Sequence, residues 1–123
     1  MSDNDWLIAE RFRHVGHWSN PHMKLQRLVL LDQTRGIYAF VVEGRVRYIG
    51  KATSLRHRIR EYNRALAPET SRKFRKVHHG IQRVWTDYTT IDVWVYDFDE
   101  NRDGSLGRLE AKWINEKEPE WND

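Results

Sequence analysis

The chain has 123 residues, a length that suits one domain with a single hydrophobic core. It contains no cysteine, which excludes disulfides, thiolate zinc sites and a cysteine nucleophile. The net charge is +3, but residues 45–83 carry a local balance of +10 and residues 97–123 one of −5. The basic block favours a polyanionic partner, because each phosphate that Lys or Arg neutralises releases counterions. A basic face that only contacts solvent is the alternative.

Hydropathy indicates neither a signal peptide nor a membrane span. The first twenty residues lack the apolar run typical of a signal peptide. The longest apolar stretches, Leu28–Leu31 and Ala39–Val42, are too short to cross a bilayer. We therefore expect a soluble, cytoplasmic protein with no membrane partner.

The first 35 residues have mixed patterning. The sequence predicts a short helix over Asp5–Arg13, a loop over Arg13–His22, and an additional helix or strand over Leu25–Leu31. We expect residues 1–35 to form an N-terminal extension packed on the core of a domain that spans residues 36–123.

From Gly36 onward the pattern predicts a β-hairpin. Gly36–Val42 is apolar and rich in β-forming residues, Glu43-Gly44 suits a two-residue turn, and Arg45–Ile49 is the return strand. Gly44 and Gly50 are both predicted to be turn glycines.

Helices and one more strand follow the hairpin. Ser54 is predicted to cap a helix over Leu55–Arg64, and a very basic second helix is predicted over Ser71–Val84. The remaining elements are a strand over Thr90–Phe98, a turn over Asp99–Gly104, and a Ser105-capped helix over Leu106–Lys117. This order predicts an α+β domain in which helices flank a small three-stranded antiparallel sheet.

Two tripeptides in the hairpin carry the most specific signal. Gly36-Ile37-Tyr38 is separated by nine residues from Tyr48-Ile49-Gly50. Arg58 and Tyr62 follow on the next helix, and Glu110 precedes a Pro-x-x-Asn pattern that ends at Asn122. With these residues in this order, residues 36–122 resemble the GIY-YIG nuclease family. The resemblance implies an endonuclease that depends on a divalent metal and hydrolyses phosphodiester bonds.

Glu110 occupies an unusual position on the last predicted helix. It lies four residues after Leu106 and four before Ile114, within the apolar stripe of that helix. A carboxylate there must be paired, protonated or bound to a metal. A salt bridge to an arginine is one solution, and Mg²⁺ is the other, since Mg²⁺ commonly takes only one or two protein carboxylates.

The family resemblance implies a role for each motif residue. Glu110 would hold Mg²⁺ or Mn²⁺, while Lys51 and Arg58 would neutralise the phosphate. Tyr38 or Tyr48 would orient and deprotonate water; we favour Tyr38, with Tyr48 as its hydrogen-bonding partner, although sequence does not order them. Supporting roles are expected for Gly50, His57, Tyr62 and Asn122.

The second predicted helix would bind the nucleic-acid backbone outside the catalytic cleft. Its basic residues are Arg72, Lys73, Arg75, Lys76 and Arg83. DNA is the favoured substrate, and a homodimer would be one route to cleavage of both strands.

Two other functions compete with catalysis. The first is a nucleic-acid-binding module that has lost its activity, which the complete set of motif residues argues against. The second is a protein-interaction domain that uses exposed tryptophans such as Trp18 or Trp85. Zinc is disfavoured, because no cysteine completes a tetrahedral set with His14, His17 and His22.

Overall fold

The structure is a computed structural model that describes residues 2–18, 34–65, 76–87 and 89–122. Within these ranges the elements, in chain order, are α1 (Asn4–Ala9), β1 (Arg13–Trp18), β2 (Gly36–Val42), β3 (Arg45–Ala52), α2 (Leu55–Ala65), α3 (Lys76–Thr86), β4 (Ile91–Asp97), α4 (Glu100–Asp103) and α5 (Leu106–Lys117). The predicted α+β class, with helices flanking an antiparallel sheet, is confirmed.

Among the described residues the sheet has four strands in the order β1-β4-β2-β3, and each of these pairings is antiparallel. The central strand β2 is buried along its whole length, as its continuous apolar sequence requires. Glu43 and Gly44 connect β2 to β3 with positive φ angles of 51° and 77°, which is the geometry of a type I′ hairpin turn. The predicted hairpin and the turn role of Gly44 are therefore confirmed.

Strand β1 corrects two predictions made from the sequence. The sequence predicts a loop over Arg13–His22 and three strands, but Arg13–Trp18 pairs with β4 as a fourth strand. Val15 and Trp18 point into the core from this strand and are fully buried. Local propensity did not reveal β1, because pairing with β4 and burial of these side chains stabilise it.

Two hydrophobic clusters lie on opposite faces of the sheet. Helices α2 and α3 supply apolar residues to one face, and α1 and α5 supply them to the other. Strand β3 lies at an edge of the sheet, opposite β1. Side chains from the helices of either face can therefore meet along the β3 edge.

The remaining boundaries differ modestly from prediction. Helix α1 ends at Ala9, because Arg11 adopts a positive φ of 69° that turns the chain into β1. The predicted turn after β4 contains the short helix α4, which Asp99 caps. Helix α5 has its predicted bounds and its predicted cap, Ser105. The predicted Leu25–Leu31 element and residues 71–75 of the predicted basic helix lie outside the described residues.

Within the described ranges, no helix has both the length and the apolar character needed to span a bilayer.

Candidate active site at the β3 edge

Three tyrosines from β2, β3 and α2 lie together on one face of the sheet. The register pairs Tyr38 with Gly50 and Phe40 with Tyr48, so Tyr38 and Tyr48 are diagonal neighbours with ring centroids 5.9 Å apart. The hydroxyls of Tyr38 and Tyr62 share a hydrogen bond of 2.9 Å. The partner of Tyr38 is thus Tyr62, whereas the sequence predicts Tyr48.

Tyr38 is the most deeply buried of the three tyrosines. Its side chain is only 1% exposed, whereas Tyr48 is partly buried. Burial raises the pKa of Tyr38 well above its ordinary value, and the neighbouring Tyr62 and Tyr48 raise that pKa further, with Arg58 opposing them. Tyr38 therefore stays protonated at neutral pH.

Gly50 has a packing role in the strand. The sequence predicts a turn glycine, but Gly50 lies within β3, so that prediction is wrong. A Cβ atom at this position would lie 2.4 Å from Cζ of Tyr38. Only glycine allows the Tyr38 ring to cross the strand this closely.

The last described residues hold β3 on both sides of Tyr48. The Asn122 carboxamide accepts from the Ile49 N–H at 2.9 Å and donates to the Ile49 carbonyl at 2.8 Å. The Trp121 N–H donates to the Arg47 carbonyl at 2.7 Å. The backbone on either side of Tyr48 is consequently fixed by the segment that follows α5.

Glu110 reaches the same strand from the opposite face of the sheet. It is partly buried on α5, and burial raises the pKa of its carboxyl, while the ammonium and backbone N–H of Lys51 lower it. Complete burial in the apolar stripe is therefore not observed. Among the described residues no arginine forms an ion pair with Glu110, so these residues give no support to a salt bridge between Glu110 and an arginine.

This environment fits a divalent cation. Glu110 is a hard oxygen donor whose charge burial disfavours, so a bound cation would relieve that cost. The described residues contain no cluster of three or more His, Asp or Glu side chains able to hold a metal. A single carboxylate such as Glu110 can be enough for Mg²⁺, because Mg²⁺ commonly takes one or two protein carboxylates and retains several waters.

Helix α2 presents a small charged cluster beside the tyrosines. Arg58 Nε lies 3.5 Å from Glu61 Oε1, and His57 Nε2 lies 3.6 Å from the same atom. Arg58 also lies close enough to Tyr38 to oppose part of the rise in the Tyr38 pKa. Glu61 is absent from the predicted site, although its i+3 and i+4 spacing from Arg58 and His57 signals the contact.

The predicted backbone-binding residues are only partly described. Lys76 and Arg83 are exposed on α3, and Lys76 Nζ donates to the Asn122 carbonyl at 3.4 Å. Arg72, Lys73 and Arg75 lie outside the described residues. Trp18, predicted to be an exposed interaction residue, is instead fully buried against Phe40. The side chain of Trp85 lies outside the described part of the chain.

Solved structures share this architecture. Bacteriophage T4 EndoII, in an E118A mutant form, superposes with a TM-score of 0.75 at 14% identity, and each chain is covered completely. The endonuclease domain of UvrC from Thermotoga maritima, bound to magnesium, gives 0.55 at 26% identity over 80% of this chain and 93% of that chain. Restriction endonuclease HPY188I, in complex with product DNA, gives 0.54 at 13% identity over 96% and 82%.

Sequence comparison gives the same assignment. Among curated proteins no relative matches the chain. The model of the UvrC-like GIY-YIG domain matches residues 34–123, which include the hairpin, helix α2, Glu110 and Asn122. The chain therefore belongs to the UvrC-like GIY-YIG family and is a nuclease.

Proposed function

We propose that this nuclease is a metal-dependent endonuclease that hydrolyses phosphodiester bonds in nucleic acid, with DNA as the favoured substrate. One observation carries the proposal: partly buried Glu110, without an arginine partner among the described residues, meets Lys51 at the strand that carries Tyr48. A carboxylate, a cation and a phenol at one sheet edge suit in-line hydrolysis of a phosphate ester.

Glu110 would hold one Mg²⁺ or Mn²⁺ ion, with waters completing the coordination. When bound, such an ion supplies charge stabilisation at the scissile phosphate and the leaving oxygen. The magnesium bound to the UvrC endonuclease domain supports this choice of ion.

Tyr48 is the better candidate to orient and deprotonate the attacking water. The sequence favours Tyr38, but Tyr38 is buried, has a raised pKa and shares its hydroxyl with Tyr62. Tyr48 is less buried and lies on the edge strand. Tyr38, hydrogen-bonded to Tyr62, would then support the Tyr48 ring, with Gly50 making room for Tyr38.

Cationic side chains would bind the phosphates. Lys51 and Arg58 would neutralise the scissile phosphate. His57, on the exposed side of α2, would contact the same nucleic-acid strand. The nucleic-acid backbone on either side of the scissile phosphate would contact the basic residues in and just before α3, which are Arg72, Lys73, Arg75, Lys76 and Arg83.

The domain organisation is part of the same proposal. Residues 36–123 would form the nuclease domain and residues 1–35 an extension packed on its core, which the pairing of β1 with β4 supports.

The nucleic acid and the oligomeric state are also proposed. DNA is favoured because HPY188I is a structural neighbour in complex with product DNA. A homodimer would allow both strands of a duplex to be cut.

A catalytically inactive nucleic-acid-binding module is the competing function. One experiment separates the two: incubate the protein with Mg²⁺ and labelled single-stranded, duplex, flap and four-way-junction DNA. We expect cleavage of at least one substrate, abolition by EDTA, and abolition by Glu110→Gln with binding retained. Binding without cleavage on the whole panel would favour the inactive module.

A further inference from the structure

The segment that follows α5 joins the catalytic strand to α3. On the β3 side, Trp121 bonds the Arg47 carbonyl and Asn122 bonds both polar groups of Ile49. Glu120 also forms an ion pair with the Arg47 guanidinium. These contacts lie immediately before and after Tyr48, so they fix the backbone that carries it.

On the α3 side, the same segment rests on a glycine. The Trp121 indole is 5% exposed and packs so closely on Gly80 that a Cβ there would lie 2.4 Å from Cε2 and Nε1 of the ring. Glycine inside a helix costs about 1 kcal/mol relative to alanine. Its presence at position 80 is explained by this contact. Lys76, one turn earlier, also bonds the Asn122 carbonyl.

We propose that Trp121 is a positioning residue of the nuclease. Seated between Gly80 and β3, Trp121 sets the distance from the helix that binds the substrate backbone to the strand that holds Tyr48. The inference rests on the proposed function, in which α3 contacts phosphates and Tyr48 activates water. A displacement of α3 would be transmitted to residues 47–49, and misplacement of a reacting group by about 1 Å costs on the order of a hundredfold in rate.

The first test uses three variants and a matched control. Trp121→Ala removes the aromatic ring from Gly80, Gly80→Ala pushes the ring away, and Trp121→Phe keeps an aromatic ring in place. Val15→Ala is the control, since Val15 is buried in the same cluster but lies on β1, at the far edge of the sheet. Cleavage is measured under saturating Mg²⁺ at a temperature where every variant is folded.

We expect Trp121→Ala and Gly80→Ala to lower kcat by at least about tenfold, with KM changed less than about threefold, as for impaired positioning. Trp121→Phe should recover most of the rate, and Val15→Ala should keep kcat. In the double variant the effect of Gly80→Ala should not add to that of Trp121→Ala, because the clash has been removed. A wild-type kcat in folded Trp121→Ala would overturn the proposal.

A second measurement does not require cleavage. The Ile49 N–H, which bonds Asn122, should exchange with solvent about tenfold faster in Trp121→Ala and Gly80→Ala than in Val15→Ala or Trp121→Phe. Unchanged exchange in Trp121→Ala would refute the positioning role. If exchange follows the expected pattern while the wild type cuts no substrate, the proposed activity is wrong and the link between α3 and β3 stands.

Discussion

Tyr38 shares its hydroxyl with Tyr62 across a 2.9 Å hydrogen bond, and both rings are almost completely buried. The two motif tyrosines, Tyr38 and Tyr48, therefore have different environments, because Tyr48 lies on the edge strand and is only partly buried. Under the proposed function, this difference in burial assigns water activation to Tyr48 and a supporting role to Tyr38.

We expect Tyr48→Phe to lower turnover by roughly a hundredfold or more, the usual scale for removal of a general base, with little change in stability. Tyr38→Phe should instead lower stability by about 1 kcal/mol, because it removes the hydrogen bond to Tyr62, with a smaller decrease in turnover. Chemical denaturation and single-turnover cleavage on the same preparations measure both effects. An inactive but fully stable Tyr38→Phe, beside an active Tyr48→Phe, would reverse the assignment.

The effect of Glu110 on the stability of the metal-free protein should change with pH. Its pKa in the folded protein is raised above the ordinary value of 4.5, so the folded state holds this proton more tightly than the unfolded state. Without metal, the charged form therefore destabilises the fold, and stability falls as pH rises from the unfolded pKa through the folded one. Glu110→Gln should remove this component.

The measurement is a series of melting curves of wild type and Glu110→Gln in EDTA between about pH 4 and 8. We expect the variant to gain stability over the wild type as pH rises, and the difference to level off above the folded pKa. Mg²⁺ should raise the melting temperature of the wild type only. A variant that melts earlier than wild type at neutral pH would instead identify Glu110 as a salt-bridge partner.

Glu61 should weaken substrate binding, because it occupies Arg58 and His57 in the free protein. We expect Glu61→Gln to tighten binding by about two- to fivefold, in line with the small worth of exposed ion pairs. Glu10→Gln on the opposite face makes the same charge change and controls for net charge. Fluorescence titration in EDTA compares the three proteins, and equal tightening by both variants would show that only net charge matters.

The basic α3 region should set the salt dependence of binding. Replacing Lys73 and Arg83 with alanine should lower the slope of log affinity against log salt by about 0.9 for each duplex phosphate that the variant no longer neutralises. Lys112→Ala, an exposed cation on α5, is the control and should leave the slope unchanged. A slope that stays at the wild-type value in the double variant would mean that these two side chains do not contact phosphates.

The sequence predicted the parts of the fold that local signals specify. The apolar, β-rich run Gly36–Val42 and the Glu43-Gly44 turn identified the hairpin, and the Ser105 cap identified the start of α5, because these signals depend on neighbouring residues. Strand β1 was missed, because its stability comes from pairing with β4, far away in the chain.

The candidate site shows the same division. The motif supplied the identities of Tyr38, Tyr48 and Glu110, but burial and hydrogen bonding follow from the three-dimensional packing. Pairing of Tyr38 with Tyr62 depends on how α2 crosses β2. The support given by Trp121 likewise depends on a close approach to Gly80 that no sequence spacing indicates.

Strand β3 is an edge strand of the sheet formed by the described residues, and an exposed sheet edge is a template for pairing with another chain. Trp121 and Asn122 occupy the outward backbone groups of Arg47 and Ile49, the positions at which a foreign strand would add. With these groups occupied, the edge offers fewer free backbone donors and acceptors to another chain, so we expect the segment to limit self-association at this edge. Replacement of Asn122 would expose the strand as well as slow catalysis, so an inactive variant at this position should also aggregate.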